Sequence, residues 1–320
     1  MDGVPFVTAG LNFIQPEHMG TPTPVKIRDA RTSPTPFTLE ANGFTLASQP
    51  TVLTREQFYE DALVKELYYP EVARGLEQLT GATKAFPILH RLRNGDQTFF
   101  FAGKRRGGGD GGGSSSSSSS SSAAGSGGAT AALAQKCRCL AEFVPLVHCD
   151  NTVIQGKEMM QDFLRLNGAH EFLNGFDSRR YKIVNVWRNI RDEPITANNH
   201  PLCLLDSATL HVPEDFVQSM TELPKLSGNR SYHQWWWYSN QTRDEMLVFS
   251  RWDSRGSAAP DIVDEMTGRP KRCVGLPGDR LGISTFHTAF NIENRALTDY
   301  LDGFATSGRE SVDCLCLLVW

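Results

Sequence analysis

From residue 181 to the C-terminus the chain is a succession of short apolar runs. Each is too short for a stable helix, and each is closed by turn residues. YKIVNVWRNI, PLCLLDSATL, YHQWWWYS, EMLVFSRWDS, GISTFHTAF and ESVDCLCLLVW are rich in β-branched and aromatic residues, the composition of strands. SNQTRDE, between the third and fourth runs, reads as a hairpin connection. Upstream the period changes. Residues 55–82 carry apolar and charged positions at helical spacing, with a break expected at Tyr69-Pro70 and a stop at Gly81. QGKEMMQDFLRL, residues 155–166, reads as a second helix. Residues 1–50 are Pro- and Thr-rich, with short extended pieces such as FTLEANGFTLA. Helices followed by a β-rich body predict an α+β chain with an antiparallel barrel or jelly-roll core.

Composition narrows the function classes. The chain has 320 residues, 40% apolar and 21% charged, which is enough to bury a sizeable core. A net charge of −4 gives no footing for nucleic acid or an anionic membrane. No apolar run is long enough to span a bilayer. MDGVPFVTAGLNF lacks the basic-then-apolar order of a secretory leader. Seven cysteines, an odd number, fit reduced thiols and a cytoplasmic location. Cys137/Cys139 and Cys314/Cys316 have C-x-C spacing, which puts both thiols on one strand face as core filling rather than as a zinc site. Residues 105–132 are almost pure Gly, Ser and Ala. Such a stretch cannot offset its ordering entropy and reads as a flexible insertion. It sits within a single domain, 1–320, because FPILHRLRNGDQTFFFAGK before it reads as strands needing downstream partners.

One apolar run ends unusually: FVPLVHCDNTV delivers His148 and Asp150 from an apolar strand. Strand alternation puts these two on one side and Cys149 on the other. Two readings compete, a satisfied polar pair in a core and half of a metal site. A facial iron site needs two histidines and one carboxylate, with open positions opposite. GISTFHTAF offers His287 as the third ligand. In GRESVDCLCLLVW, Arg309 and Ser311 share a face, a fork and a hydroxyl suited to a carboxylate in a water-poor pocket. In WWWY, Trp235 and Trp237 share one face and Trp236 and Tyr238 the other; Trp235 and Trp237 are candidates for a substrate pocket, with ordinary core as the alternative. Arg188 in NVWRN is a candidate for substrate contact or for a structural ion pair. His90, His170, His200, His211 and His233 read as surface or core histidines, and His18 lies in an irregular stretch. Asp206 and Asp253 read as turn caps.

YYPEVARGLEQLTGATKAFPILHRLR, VHCDNTV, NVWRNI, PLCLLDSATL, HQWWWYSNQTRDEMLVFSRWDS, HTAFN and RESV follow one another in order. In this set the chain resembles the Fe(II)/2-oxoglutarate-dependent dioxygenases, and among them the hydroxylase/desaturase group of fungal secondary metabolism, related to cephamycin methoxylation proteins and meroterpenoid endoperoxidases. The resemblance covers residues 38–320 apart from the Gly/Ser stretch. It implies a double-stranded β-helix of the cupin-like jelly-roll kind with flanking N-terminal helices. It implies Fe(II) held by His148, Asp150 and His287, with 2-oxoglutarate held by Arg309 and Ser311. It implies O2-dependent hydroxylation, desaturation, or ring or peroxide formation on a small natural-product intermediate. His287 and Arg309 are 22 positions apart, a long gap in which Arg295 is a rival carboxylate ligand. HQW stands at 233–235 where relatives carry HRW. Two other functions stay open. One is an iron oxidase that does not use 2-oxoglutarate, with Arg309 and Ser311 gripping a substrate carboxylate. The other is a non-catalytic binding protein on the same fold. The sequence specifies neither the substrate nor the oligomeric state, and a homodimer is compatible with it.

Overall fold

In the computed structural model the described residues are 3–13, 21–94, 140–141, 144–150, 153–211, 215–217, 225–226, 228–254, 284–290, 292 and 309–320. The Gly/Ser stretch, Arg295, His18, Cys137, Cys139 and Cys273 lie outside them. Thirteen strands are described: β1 Phe6–Leu11, β2 Thr23–Asp29, β3 Phe44–Ser48, β4 Lys84–Asn94, β5 Leu140–Ala141, β6 Tyr181–Asn189, β7 Leu202–Leu205, β8 Phe216–Val217, β9 Lys225–Leu226, β10 Trp235–Trp237, β11 Glu245–Asp253, β12 His287–Ala289 and β13 Glu310–Val319. They form a five-stranded sheet in the order β1-β2-β10-β7-β12 and a six-stranded sheet in the order β3-β11-β6-β13-β4-β5, with β8 and β9 paired apart. Leu202, Leu204 and Trp236 of the first sheet join Trp187, Leu247 and Phe249 of the second in one buried cluster. The two sheets therefore pack face to face, as in a jelly roll.

Alternation sorts the strands, apart from register slips on β11 and between β4 and β13. On β6, Asn185 and Trp187 point between the sheets, while Val184 and Val186 point outward into a second cluster with Val312, Cys314, Cys316 and Leu318 of β13. A helical stretch covers that outer face. It begins as α1 (Asp61–Leu63), widens to a π turn over Val64–Tyr68 and continues as α2 (Tyr69–Thr80). The break expected at Tyr69-Pro70 is instead this widening. Pro70 has no N–H to donate and its ring crowds the carbonyl one turn back, so the upstream turn opens and Tyr69 N–H reaches Val64 O. Gly81 ends the helix in the left-handed conformation, φ 68°, as its position predicts. The second helix, α3 (Val153–Leu166), sends Met160 and Leu164 against Ile183, Trp252, Leu315 and Leu317 at one end of the sandwich.

One expectation fails. SNQTRDE does not close a hairpin. Both edges of β10 are taken, by β2 and β7, so the chain crosses to the other sheet and β11 pairs with β3 and β6. Asp253 is buried between Arg180 Nη2 at 2.6 Å and Lys182 Nζ at 3.4 Å. Asp206 caps a turn, accepting from Ala208 N–H at 3.0 Å. Cys149, Cys203, Cys314 and Cys316 are buried free thiols. Among the described residues no helix is long and apolar enough to cross a membrane.

Candidate active site

The space between the sheets is not filled at one end, leaving a cavity of about 220 Å³. His148, Asp150, His287 and Arg309 all line it. His287 opens β12 opposite Leu204, whose side chain faces inward, so His287 faces inward too. The backbones of His148 and His287 exchange two hydrogen bonds, His148 N–H to His287 O at 3.1 Å and His287 N–H to His148 O at 3.0 Å. That pairing sets the imidazoles side by side, with ring centroids 4.3 Å apart. Cys149, between the other two, turns outward into the cluster of Val147, Trp235 and Phe286. The alternation read from H-x-D holds.

The nitrogens of both rings are assigned by their neighbours. Nδ1 of His148 lies 2.6 Å from Leu146 O, and Nδ1 of His287 lies 2.9 Å from Thr285 O. A carbonyl only accepts, so each Nδ1 carries the proton, and in the neutral ring the lone pair sits on Nε2. Those Nε2 atoms face Asp150, at 3.8 Å from Oδ1 for His148 and 3.7 Å from Oδ2 for His287. One donor atom from each of the three residues falls within 4.8 Å of the others. Burial, with His148 adding to it against Asp150, lowers the His287 imidazole to about 4. Burial alone would raise Asp150, but Arg251 first and then the two imidazoles hold it down to about 2. At neutral pH the site thus offers a lone pair on His287 and a charged carboxylate.

Asp150 is held by residues that sequence reading missed. Asn185 Nδ2 donates to Asp150 Oδ2 at 3.0 Å, and Arg251 Nη1 donates to Asn185 Oδ1 at 3.1 Å. Arg251 Nε stands 3.6 Å from the same Oδ2. Asn185 left a signal, one amide on the inward face of the apolar run YKIVNVW. Arg251 left a signal of the same kind, a polar residue in step with the inward Leu247 and Phe249 of β11. The register slip between Ser250 and Trp252 follows it and turns Trp252 inward as well, against Ile183.

Arg309 and Ser311 lie together as expected. Arg309 is 2% exposed, with Nε 3.3 Å from Ser311 Oγ, Nη1 donating to His200 O at 2.7 Å, and the guanidinium over the Trp187 ring. Burial lowers its guanidinium to about 9, against the pull of Asp313. The other pocket candidates sit elsewhere. Trp235 and Trp237 face away from the cavity into the outer cluster of the five-stranded sheet, with Phe13 and Phe290, because on β10 only Trp236 points between the sheets. Arg188 is fully buried on the outer side of β6, donating to Gln49 O, Arg243 O and Tyr68 Oη. It ties a loop and the helix to the sheet. His233 and His90 are buried away from the cavity, beside Asp215 and Tyr69 respectively.

Residues 11–263 match the family model described as "Oxidoreductase/YMDC permease-like domain". The chain belongs to that family. Within this oxidoreductase family it is similar to "Oxidoreductase R2" of Phoma sp., 25% identical over 195 residues, 59% of this chain and 54% of that protein. It thus spans about half the length of that relative. "Hydroxylase/desaturase efuI" of Hormonema carpetanum is 22% identical over 315 residues, 93% of this chain and 83% of its own length. The fungal hydroxylase/desaturase likeness read from the motifs is therefore shown. Among solved structures, the "iron and alpha-ketoglutarate-dependent endoperoxidase NvfI with different conformation" superposes with a TM-score of 0.59 at 18% identity, over 100% of this chain and 99% of that one. At that identity the likeness concerns the fold.

Proposed function

We propose that this oxidoreductase is a non-haem Fe(II) oxygenase that couples 2-oxoglutarate decarboxylation to oxidation of a small natural-product intermediate, on a double-stranded β-helix. One observation carries the reading. Two imidazole Nε2 atoms and a carboxylate converge in the same cavity that a buried arginine lines. The donor set fits the metal: two nitrogens and one carboxylate are the facial set of iron oxygenases, and each histidine has its second nitrogen fixed by a backbone carbonyl, as ligating histidines do. The names of relatives agree. PhiK, a fungal relative 27% identical over 239 residues, is called an alpha-ketoglutarate-dependent dioxygenase.

In this reading His148, Asp150 and His287 hold the iron. Bound iron with 2-oxoglutarate supplies the activation of O2. The protein's part is positioning and the exclusion of water. Asn185 and Arg251 occupy Asp150 Oδ2 and leave Oδ1 toward His148. The Phe249 ring, 4.6 Å from that of His287, shields it from solvent. Arg309 with Ser311 grips the cosubstrate carboxylate by a charge-assisted fork. The same reading takes residues 1–320 as one domain with 105–132 inserted into it. In its support, β4 before the stretch and β5 after it pair directly, Leu92 with Leu140.

His148→Ala, Asp150→Ala and His287→Ala should each lose stoichiometric Mn(II) or Fe(II) by equilibrium dialysis while keeping the wild-type circular dichroism spectrum. A variant that retains both metal and turnover removes that residue from the ligand set.

A further inference from the structure

The cavity lining is more cationic than a metal and one dicarboxylate require. Arg91, Arg93, Arg251 and Arg309 face only Asp150 and Asp313. A divalent metal would add two positive charges and a dicarboxylate would remove two, so an excess of two persists with both bound. Two of the arginines answer to the acids: Arg251 Nε lies 3.6 Å from Asp150, and Arg93 Nε lies 2.5 Å from Asp313. Arg309 is buried behind them. Arg91 is different. It is exposed at the cavity rim, and among the described residues it forms no ion pair.

Its place in the sheet fixes what it can reach. On β4, Arg91 pairs with Asp313 and Leu89 with Leu315; across β13, Leu315 pairs with Asn185 of β6, which holds Asp150. The backbone of β4 is two strands from β6, which carries Asn185, about 10 Å at ordinary strand spacing. Beside Arg91 the lining is apolar and wet: Leu89 is 40% exposed and Val144 37%. A guanidinium with no ion pair among the described residues, next to two solvent-exposed aliphatic side chains, matches an anion with an apolar body.

We propose that the molecule oxidised is a small carboxylic acid with an aliphatic or cyclic apolar body, its carboxylate held by Arg91 and its body lying over Leu89 and Val144. This deepens the oxygenase reading and rests on it. A carboxylate held on Arg91 fixes one end of the molecule at the cavity rim, so Arg91 sets which carbon faces the three ligands.

The test uses the full chain loaded with Mn(II) and saturated with 2-oxoglutarate, titrated by calorimetry with octanoate and, separately, with octanol. Octanoate should bind saturably, at least about tenfold tighter than octanol. Arg91→Leu should abolish that preference by weakening octanoate alone, with Mn(II) and 2-oxoglutarate affinities unchanged, and Arg91→Lys should restore part of it. Octanoate binding no tighter than octanol, octanoate binding untouched by Arg91→Leu, or octanoate competing with 2-oxoglutarate overturns the proposal. The titration is repeated without 2-oxoglutarate. If 2-oxoglutarate itself does not bind, the oxygenase reading fails, and the octanoate arms still decide the role of Arg91.

Discussion

On the proposed reading, Asp150 shows how much of a metal site lies outside its ligands. Its two oxygens are not equivalent, since Asn185 and Arg251 both address Oδ2. Residues that hold a ligand from behind typically contribute ten- to a hundredfold in affinity. Asn185→Leu should therefore weaken Mn(II) binding by about tenfold or more, by equilibrium dialysis, with the melting temperature nearly kept; unchanged affinity would show that Asp150 orients itself. Arg309 is the second test at this scale. Removing the cation from a buried carboxylate costs about 3–5 kcal/mol, a hundredfold or more. Arg309→Leu should raise the 2-oxoglutarate requirement by that factor and leave Mn(II) affinity alone. If the defect appears instead in affinity for the molecule oxidised, and turnover needs no 2-oxoglutarate, the arginine grips that substrate.

The strand that carries His287 is short and held at its start by an unlike element. Thr285 N–H donates to Ser250 O, Ser250 N–H donates to Gly43 O, and Thr285 Oγ1 donates to the same carbonyl, each at 2.8 Å. Gly43 has φ +84°, and a Cβ there would lie 2.6 Å from both Ser207 Oγ and Thr285 Oγ1. Left-handed backbone costs a non-glycine residue about 1–2 kcal/mol before any clash. Gly43→Ala should lower the melting temperature by several degrees and, by moving Thr285 O off His287 Nδ1, weaken Mn(II) binding. An unchanged melting temperature contradicts this account. Elements of this kind mark what the sequence could not show. The strands over 181–189, 245–253 and 310–319 were legible because nearly every position is β-branched, aromatic or buried. His148, Asp150, His287 and Arg309 were legible because polar groups at the ends of apolar runs are conspicuous. Trp235 and Trp237 were not assignable, because alternation tells which residues share a face but not which face meets the other sheet. Arg251 shares a face with Leu247 and Phe249, but alternation again does not tell which face meets the other sheet, and the hairpin misread at 239–245 arose because turn residues look the same whether a chain doubles back or crosses between sheets.

At the scale of the molecule, several buried groups share one sign of pH dependence. Burial lowers His90 and His233 below the ordinary 6.5. Asp215 and Glu245 are lowered as well: burial opposes this, but bonds from the Tyr232 hydroxyl and Arg31 outweigh it. In each case the unfolded chain takes up the proton at a higher pH than the folded one. Their contribution is complete above the ordinary value and is lost as pH falls below it. Asp206, raised by burial, acts the other way. The metal-free protein should therefore melt at progressively lower temperature from about pH 6.5 downward, and more steeply below about pH 4.5, in calorimetric scans. A melting temperature that rises between pH 7 and 5 would mean these groups do not govern stability. The central claim concerns the cavity, and it is tested by titrating the anaerobic Fe(II)-loaded protein with 2-oxoglutarate while recording the visible spectrum. A saturable charge-transfer band at one iron and one 2-oxoglutarate per chain, absent in His287→Ala and shifted to higher 2-oxoglutarate in Arg309→Leu, is the predicted result. An iron-loaded wild-type protein that develops no such band contradicts the account.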